Sequence, residues 1–151
     1  RQEKWILQSE LFNELHKLAE TRLAKKRFGG RSTSFYNLVR DWFSGVRETM
    51  REVWGQNDRF MFTKDVTLKA LVRVLGEVMK QKKPMAAWSD QGSDAFAKLT
   101  RPWASQAARF RAEGFYERFP AKGQVERVRR IHLELTRELG LEPEDKESDE
   151  G

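Results

Sequence analysis

The chain has 151 residues, of which 38% are hydrophobic and 34% charged, and its formal net charge is +6. This length fits one domain whose core needs no crosslinks. The lack of cysteine excludes disulfides and thiolate metal sites, and no apolar run approaches the roughly 20 residues of a membrane-spanning helix. We therefore expect a soluble, cytoplasmic protein with no membrane partner.

The charge is unevenly distributed. Residues 142–151 contain six acidic residues and one lysine, a net charge of −5, which leaves +11 on residues 1–141. The acidic end predicts a disordered tail that adds nothing to the fold. We predict a single helical domain over residues 1–141, the basic part of the chain. Because the chain begins with Arg1 rather than methionine, we expect a domain of a longer protein.

Two amphipathic helices are predicted in the first third of the chain. Leucines at intervals of three to five residues indicate a first helix over residues 4–25. The glycine pair at 29–30 should end it, and the hydroxyl residues 32–34 offer N-cap oxygens for a second helix over residues 34–54. The apolar stripe of this second helix includes Trp42, which we expect to be buried.

The remainder predicts shorter elements. Residues 60–62 form an apolar run typical of a brief extended segment, and helical spacing then resumes over residues 66–82. A short helix should begin at Ser93, another should follow Pro102 and run to Phe110, and a last one should cover residues 124–139. The predicted fold is all-α, a compact bundle of about five main helices with at most a very short extended segment.

Few residues in the sequence are candidates for catalysis or for metal binding. The only histidines, His16 and His132, lack partners at a metal-binding spacing, and each is best interpreted as a surface or core-edge residue. The loop at residues 29–34 could hold a phosphate on free amides, but it lacks the lysine and glycine spacing of a Walker loop. We therefore predict no catalytic residue, no metal and no cofactor, and a chain that is not itself an enzyme.

Basic residues interleaved with aromatic residues are the strongest functional signal. Arginine and lysine bind phosphates, and exposed aromatic rings stack on bases, although most rings here should be core. The competing interpretation is that Arg127, Arg129 and Arg130 merely solvate the last helix or pair with Glu134 and Glu138. The predicted nucleic-acid-binding residues are Arg101, Arg109, Arg111, Arg118, Lys122, Arg127, Arg129 and Arg130.

A spaced pattern of short segments runs through the chain. Its members are Ser34-Phe35-Tyr36-Asn37-Leu38-Val39, Trp42-Phe43, Val53-Trp54, Phe62-Thr63-Lys64-Asp65-Val66, Ala70-Leu71, Val74-Leu75 and Phe119-Pro120-Ala121-Lys122-Gly123. This order resembles the helical C-terminal part of DGQHR-domain proteins, a family that includes the DndB-like proteins of DNA phosphorothioation and relatives in other DNA-modification and phage-defence systems. The DGQHR motif of the ParB-like core is absent here, so no functional residue is carried over.

The resemblance implies a helical appendage that engages DNA, associates with itself or docks within a modification or defence complex. The predicted function is non-enzymatic DNA binding or assembly, with DNA and the rest of the parent polypeptide or complex as partners. One alternative is a protein-interaction module for an acidic or helical partner. A second is a fragment that completes an enzyme active site formed by another domain.

Overall fold

A computed structural model describes residues 9–29, 31–81 and 88–144. The helices within these ranges are α1 Ser9–Ala19, α2 Arg22–Phe28, α3 Ser32–Thr49, α4 Asp65–Gln81, α5 Trp88–Leu99 with a kink at Gly92, the 3-10 helix η1 Arg101–Phe110, α6 Phe115–Arg118 and α7 Gln124–Glu138. The all-α class is confirmed, but these eight segments exceed the predicted five. None of the described helices is both long and apolar enough to cross a membrane.

The predicted first helix is two helices in the structure. Thr21 adopts an extended conformation, its hydroxyl donates to Leu18 O at 2.8 Å, and it accepts a bond from Ala24 N at 3.3 Å. One side chain thus serves the end of α1 and the beginning of α2. Such local hydrogen bonding competes with a continuous helix, which the leucine spacing alone could not indicate. Residues 4–8 of the prediction lie outside the described residues.

The junction between α2 and α3 is held by an arginine. Gly29, with φ of +55°, ends α2 as predicted, and its N–H donates to Lys25 O. The predicted N-cap at residues 32–34 is wrong, because α3 already begins at Ser32 and the N-cap position is Arg31. The Arg31 guanidinium donates instead to Phe28 O, at 3.0 Å, and to Arg27 O. A cation therefore neutralises the negative end of α2.

Strand-like pairing in the described part of the chain is limited to one contact. An isolated antiparallel bridge joins Phe60 to Arg111 within the described residues, flanked by bonds from Met61 N to Phe110 O at 2.6 Å and from Ala112 N to Arg59 O at 2.7 Å. This agrees with the very short extended segment predicted at residues 60–62. The bridge attaches the turns after α3 to the end of η1.

Two tryptophans lie at the centre of the core. Trp42 of α3 is fully buried, and its indole N–H donates to Leu71 O of α4 at 3.1 Å. Trp103 of η1 is equally buried and donates to Leu135 O of α7 at 3.0 Å. Their rings pack edge to face with centroids 6.0 Å apart. The pair thus connects four elements of the fold.

Helices α3 and α5 approach so closely that a side chain would not fit between them. A Cβ atom on Gly45 would lie 2.6 Å from Phe96 Cβ, 2.7 Å from Ser93 O and 2.8 Å from Ala97 N. Two of these atoms belong to the α5 backbone and cannot rotate away. Glycine is therefore required at position 45 for steric reasons.

The chain remains packed beyond α7. Leu141 and Pro143 are buried, and the Gln81 side chain makes two bonds to the Glu142 main chain, one of 2.7 Å to its carbonyl and one of 3.1 Å from its N–H. Glu144 N donates to the Glu77 carboxylate at 3.1 Å. Residues 142–144, which the sequence placed in an acidic tail, are thus bound to α4. Residues 145–151 lie outside the described part of the chain.

We expect Trp42→Ala to lower the free energy of unfolding by about 3 to 5 kcal/mol, because it removes a fully buried ring and leaves a cavity. Trp42→Phe keeps most of the apolar volume and loses the hydrogen bond to Leu71 O, so its cost should be clearly smaller. Urea denaturation of both variants measures the difference. A loss below 1 kcal/mol for the alanine variant would contradict the central position of this ring.

We expect a chain that ends after Leu141 to be less stable by about 1 to 3 kcal/mol than one that ends after Glu144. The shorter chain loses buried Pro143 and three main-chain hydrogen bonds to α4. The longer chain keeps all of these contacts and is the matched control. Equal melting temperatures for the two chains would show that residues 142–144 do not stabilise the fold.

Candidate nucleic-acid interface

The eight predicted nucleic-acid-binding residues differ in their contacts. Three of them, Arg109, Arg118 and Arg127, form several hydrogen bonds within the fold. Arg129 lines a pocket on another side of α7, and Arg130 lies near an acidic residue of its own helix. The exposed residues Arg101, Arg111 and Lys122 have no side-chain partner among the described residues.

Arg109 crosslinks η1 to α7. Its guanidinium forms ion pairs with both Glu134 and Glu138 and lies 5.1 Å from the Phe119 ring centroid. Arg130 Nη1 is 3.7 Å from Glu134 Oε2, one helical turn away. Burial of Glu138 outweighs the favourable charge of Arg109, so the pKa of Glu138 is raised above its usual 4.5. The Arg130–Glu134 pair thus agrees with the competing interpretation, whereas the pairing of Arg109 with both glutamates was not predicted.

Arg118 and Arg127 hold loops together. The Arg118 guanidinium donates to Arg109 O at 2.8 Å, Arg111 O at 2.6 Å and Glu113 O at 2.8 Å. Its planar fork of donors suits carbonyls at the end of η1 and in the loop that follows.

Arg127 acts in the same way on the loop before α7. It donates to Phe119 O at 2.9 Å and Ala121 O at 3.2 Å, and its guanidinium lies 4.5 Å from the Tyr116 ring centroid. Replacing it would leave two loop carbonyls without donors. Its side chain is therefore a structural element of this loop, whatever else it contacts.

The aromatic residues of the same stretch are mostly core, as predicted. Trp103, Phe110, Phe115 and Phe119 are fully buried, whereas Tyr116 is 53% exposed. A stacking platform for several bases is therefore not formed by these rings. Basic and aromatic residues alternate here because the aromatic rings fill the core and the arginines form hydrogen bonds to the loops around it.

A denser basic segment lies elsewhere, on α2 and the turn after it. Residues 22–31 contain five basic residues and no acidic one. Arg22, Lys25 and Lys26 follow i, i+3, i+4 spacing and so share one face of α2, opposite Ala24 and Phe28, which are buried. We call this exposed set of three side chains the α2 basic face.

Few internal contacts neutralise the α2 basic face. Lys25 Nζ lies 3.0 Å from Glu20 Oε1, and both side chains are more than half exposed, so the pair contributes little to stability. Arg22 and Lys26 are exposed and have no side-chain partner within the described ranges. Sequence reasoning missed this face because the segment was interpreted only as the end of the first helix. Its run of basic residues without acids was the available signal.

Comparison with known proteins adds no family assignment, because no protein-family model, curated protein or solved structure matches this chain. The function must therefore be inferred from the geometry described above.

We expect Arg127→Glu to lower the free energy of unfolding by about 1 to 3 kcal/mol, because Phe119 O and Ala121 O lose their donor. Lys122→Glu makes the same charge change in the loop that Arg127 binds, but its exposed ammonium has no side-chain partner in the described residues, so its effect should stay within about 0.5 kcal/mol. Thermal denaturation followed by circular dichroism compares the two. Equal losses would show that charge, and not the hydrogen bonds, determines the effect.

Proposed function

We propose that this chain is a non-enzymatic helical domain that binds DNA through the α2 basic face. The observation that supports the proposal is the segment 22–31, whose five basic residues have no acid among them. Exposed cations on one helix face attract phosphates and release counterions on binding, and of the three on the α2 basic face only Lys25 has an acidic partner in the described ranges. Such contacts carry no sequence information, so binding should be sequence-tolerant.

The α2 basic face suits phosphate contacts for two structural reasons. Arg22 and Lys26 can reach a ligand without breaking a buried ion pair. Arg109, Arg118 and Arg127, in contrast, would lose contacts that hold the fold. The helix is also fixed to the domain by Ala24 and Phe28, so the cations extend from a rigid base. The face is thus available without rearrangement.

The residues predicted from sequence provide a second, distinct surface. Its exposed members without side-chain partners in the described ranges are Arg101, Arg111 and Lys122, but Glu113, Glu117 and Glu126 lie in the same stretch. These acids weaken the attraction for phosphate. We therefore place this surface second to the α2 basic face.

A helical appendage of a DGQHR-like modification or defence protein is the biological setting that we propose, because the spaced hydrophobic pattern over residues 34–139 resembles that family. A DGQHR motif in the polypeptide upstream of Arg1 would support this setting. A parent chain without the motif would contradict it and leave the DNA-binding proposal to be judged by titration.

The test is fluorescence titration of a labelled DNA duplex at three salt concentrations. We expect a dissociation constant on the order of 10⁻⁴ to 10⁻⁶ M near physiological salt, which tightens steeply as salt falls. The double variant Arg22→Gln with Lys26→Gln should weaken binding and flatten the slope of log K against log salt by about two.

The matched control is Arg111→Gln with Lys122→Gln, which removes two exposed positive charges from the other surface. It should change affinity and slope much less than the α2 variant does. If this control has the larger effect, the surface predicted from sequence is the interface and the α2 assignment is wrong. No binding by the unmodified chain at low salt would reject DNA binding altogether and favour an acidic protein partner.

A further inference from the structure

Residues 142–144 bring the end of the described chain close to the beginning of α2. Glu144 N donates to the Glu77 carboxylate of α4 at 3.1 Å, and the Glu144 carboxylate forms an ion pair with Lys80. These contacts place Glu144 in the lining of a pocket of about 520 Å³ between α1, α4 and α7. Thr21, the N-cap residue of α2, lines the same pocket. Whatever follows Glu144 therefore starts near the first residue of the α2 basic face.

A buried carboxylate of α4 holds this anchor in place. Glu77 accepts bonds from His132 Nε2 and from Glu144 N, each of 3.1 Å, on Oε2, and from Gln81 Nε2 on Oε1. Burial raises the pKa of Glu77, but the His132 bond, the Lys80 charge and the Glu144 N–H together outweigh burial and lower it below 4.5. Glu77 is therefore ionised at neutral pH, and the anchor of the C-terminal segment is kept there.

The residues that follow the anchor are complementary in charge to the α2 basic face. Residues 145–151 contain four acidic residues and one lysine, a net charge of −3, whereas residues 22–31 contain five basic residues and no acidic one. Surface charges attract each other mainly within the Debye length, which is about 10 Å at 0.1 M salt. Attraction between these two segments therefore requires that the fold brings them together, as the anchor at Glu144 does.

Seven residues are long enough to cover the α2 basic face from this anchor. An extended chain spans at most about 3.3 to 3.6 Å per residue, or roughly 23 Å for seven residues. The pocket volume corresponds to a sphere about 10 Å across, and four residues of helix from Arg22 to Lys26 add about 6 Å at a rise of about 1.5 Å per residue. The reach of residues 145–151 thus exceeds the distance to be covered.

We propose that residues 145–151 dock on the α2 basic face and compete there with DNA phosphates, so that the chain carries its own inhibitor of nucleic-acid binding. The docking follows from charge and tethering alone, whereas the competition rests on the proposed function. A short tether gives an effective concentration on the order of millimolar, so a weak contact is enough to occupy the face for much of the time. Lys17, an exposed cation in the lining of the pocket, is the rival docking point.

Docking is tested without DNA by a spin label on the full chain. The sequence contains no cysteine, so Ser148→Cys provides a single site for a nitroxide. At low salt we expect the label to broaden the NMR signals of the backbone amides of residues 22–28, and added salt should restore them. The α2 variant, Arg22→Gln with Lys26→Gln, should restore most of the lost intensity.

Two further variants locate the docking surface. Arg111→Gln with Lys122→Gln removes two exposed positive charges elsewhere and should leave the broadening unchanged. Lys17→Gln should also leave most of it. The proposal is overturned if the label does not broaden the α2 amides, if the broadening survives the α2 variant, or if Lys17→Gln alone removes it.

Competition is tested by DNA titration of a neutralised full chain. Its four substitutions are Asp145→Asn, Glu147→Gln, Asp149→Asn and Glu150→Gln. We expect this variant to bind the duplex about three- to tenfold more tightly than the unmodified chain at low salt, because the tethered competitor is lost. The gain should disappear when Arg22→Gln and Lys26→Gln are added, since the competitor then has no face to cover.

The matched control makes the same change of net charge at four exposed acidic residues of the described chain. Its substitutions are Glu52→Gln, Asp58→Asn, Glu113→Gln and Glu117→Gln. An equal gain from this control would show that net charge, and not docking, sets the affinity, and would overturn the proposal. If neither the unmodified nor the neutralised chain binds DNA while the label still broadens the α2 amides, the proposed function fails and the docking stands. DNA binding without broadening and without a gain rejects the docking alone.

Discussion

The indole hydrogen bonds of Trp42 and Trp103 hold this fold together. Both rings lie at the centre of the core. The indole N–H of Trp42 donates to Leu71 O of α4, and that of Trp103 donates to Leu135 O of α7. A buried indole N–H without a partner would be costly, so each bond fixes where the accepting helix lies relative to the ring. Their edge-to-face contact then couples the α3–α4 half to the η1–α7 half.

Around this centre, arginine side chains mainly hold structural elements together through hydrogen bonds and ion pairs. Arg31, Arg118 and Arg127 donate to carbonyls at a helix end or in loops, and Arg109 crosslinks η1 to α7 through two carboxylates. Irregular backbone has carbonyls that no helix satisfies, and a guanidinium with five donors supplies several partners at once. A high arginine content therefore reflects loop architecture here as much as affinity for phosphate.

The sequence predicted the elements that depend on apolar periodicity. Helices α4 and α7 lie within one residue of the predicted bounds, and buried Trp42 was expected. The features that it missed depend on single polar contacts: the Thr21 break and the Gln81 bonds that bind residues 142–144. Acidic composition concealed that Pro143 is a buried anchor, since a tail from residue 142 was predicted from charge alone.

The candidate sites were harder to predict, for a similar reason. The density of charge along the chain does not show which cations already form ion pairs or hydrogen bonds. Only the fold shows that Arg109 and Arg127 do so and that Arg22 and Lys26 are exposed. The pocket between α1, α4 and α7 is also lined by Glu144 from the segment after α7, so its residues are far apart in sequence. No local pattern could have brought Lys17, Lys80 and Glu144 together.

The tight approach at Gly45 has a consequence for how this protein can diverge. Because the obstructing atoms include Ser93 O and Ala97 N, no substitution on α5 can compensate for a larger residue at position 45. The spacing of α3 and α5 is thus fixed by main-chain contact, whereas the exposed side chains of outer segments such as α2 can change without disturbing the core. Distant homologues should therefore share the glycine and the α3–α5 crossing long after their surfaces, and with them their ligands, have become unrecognisable.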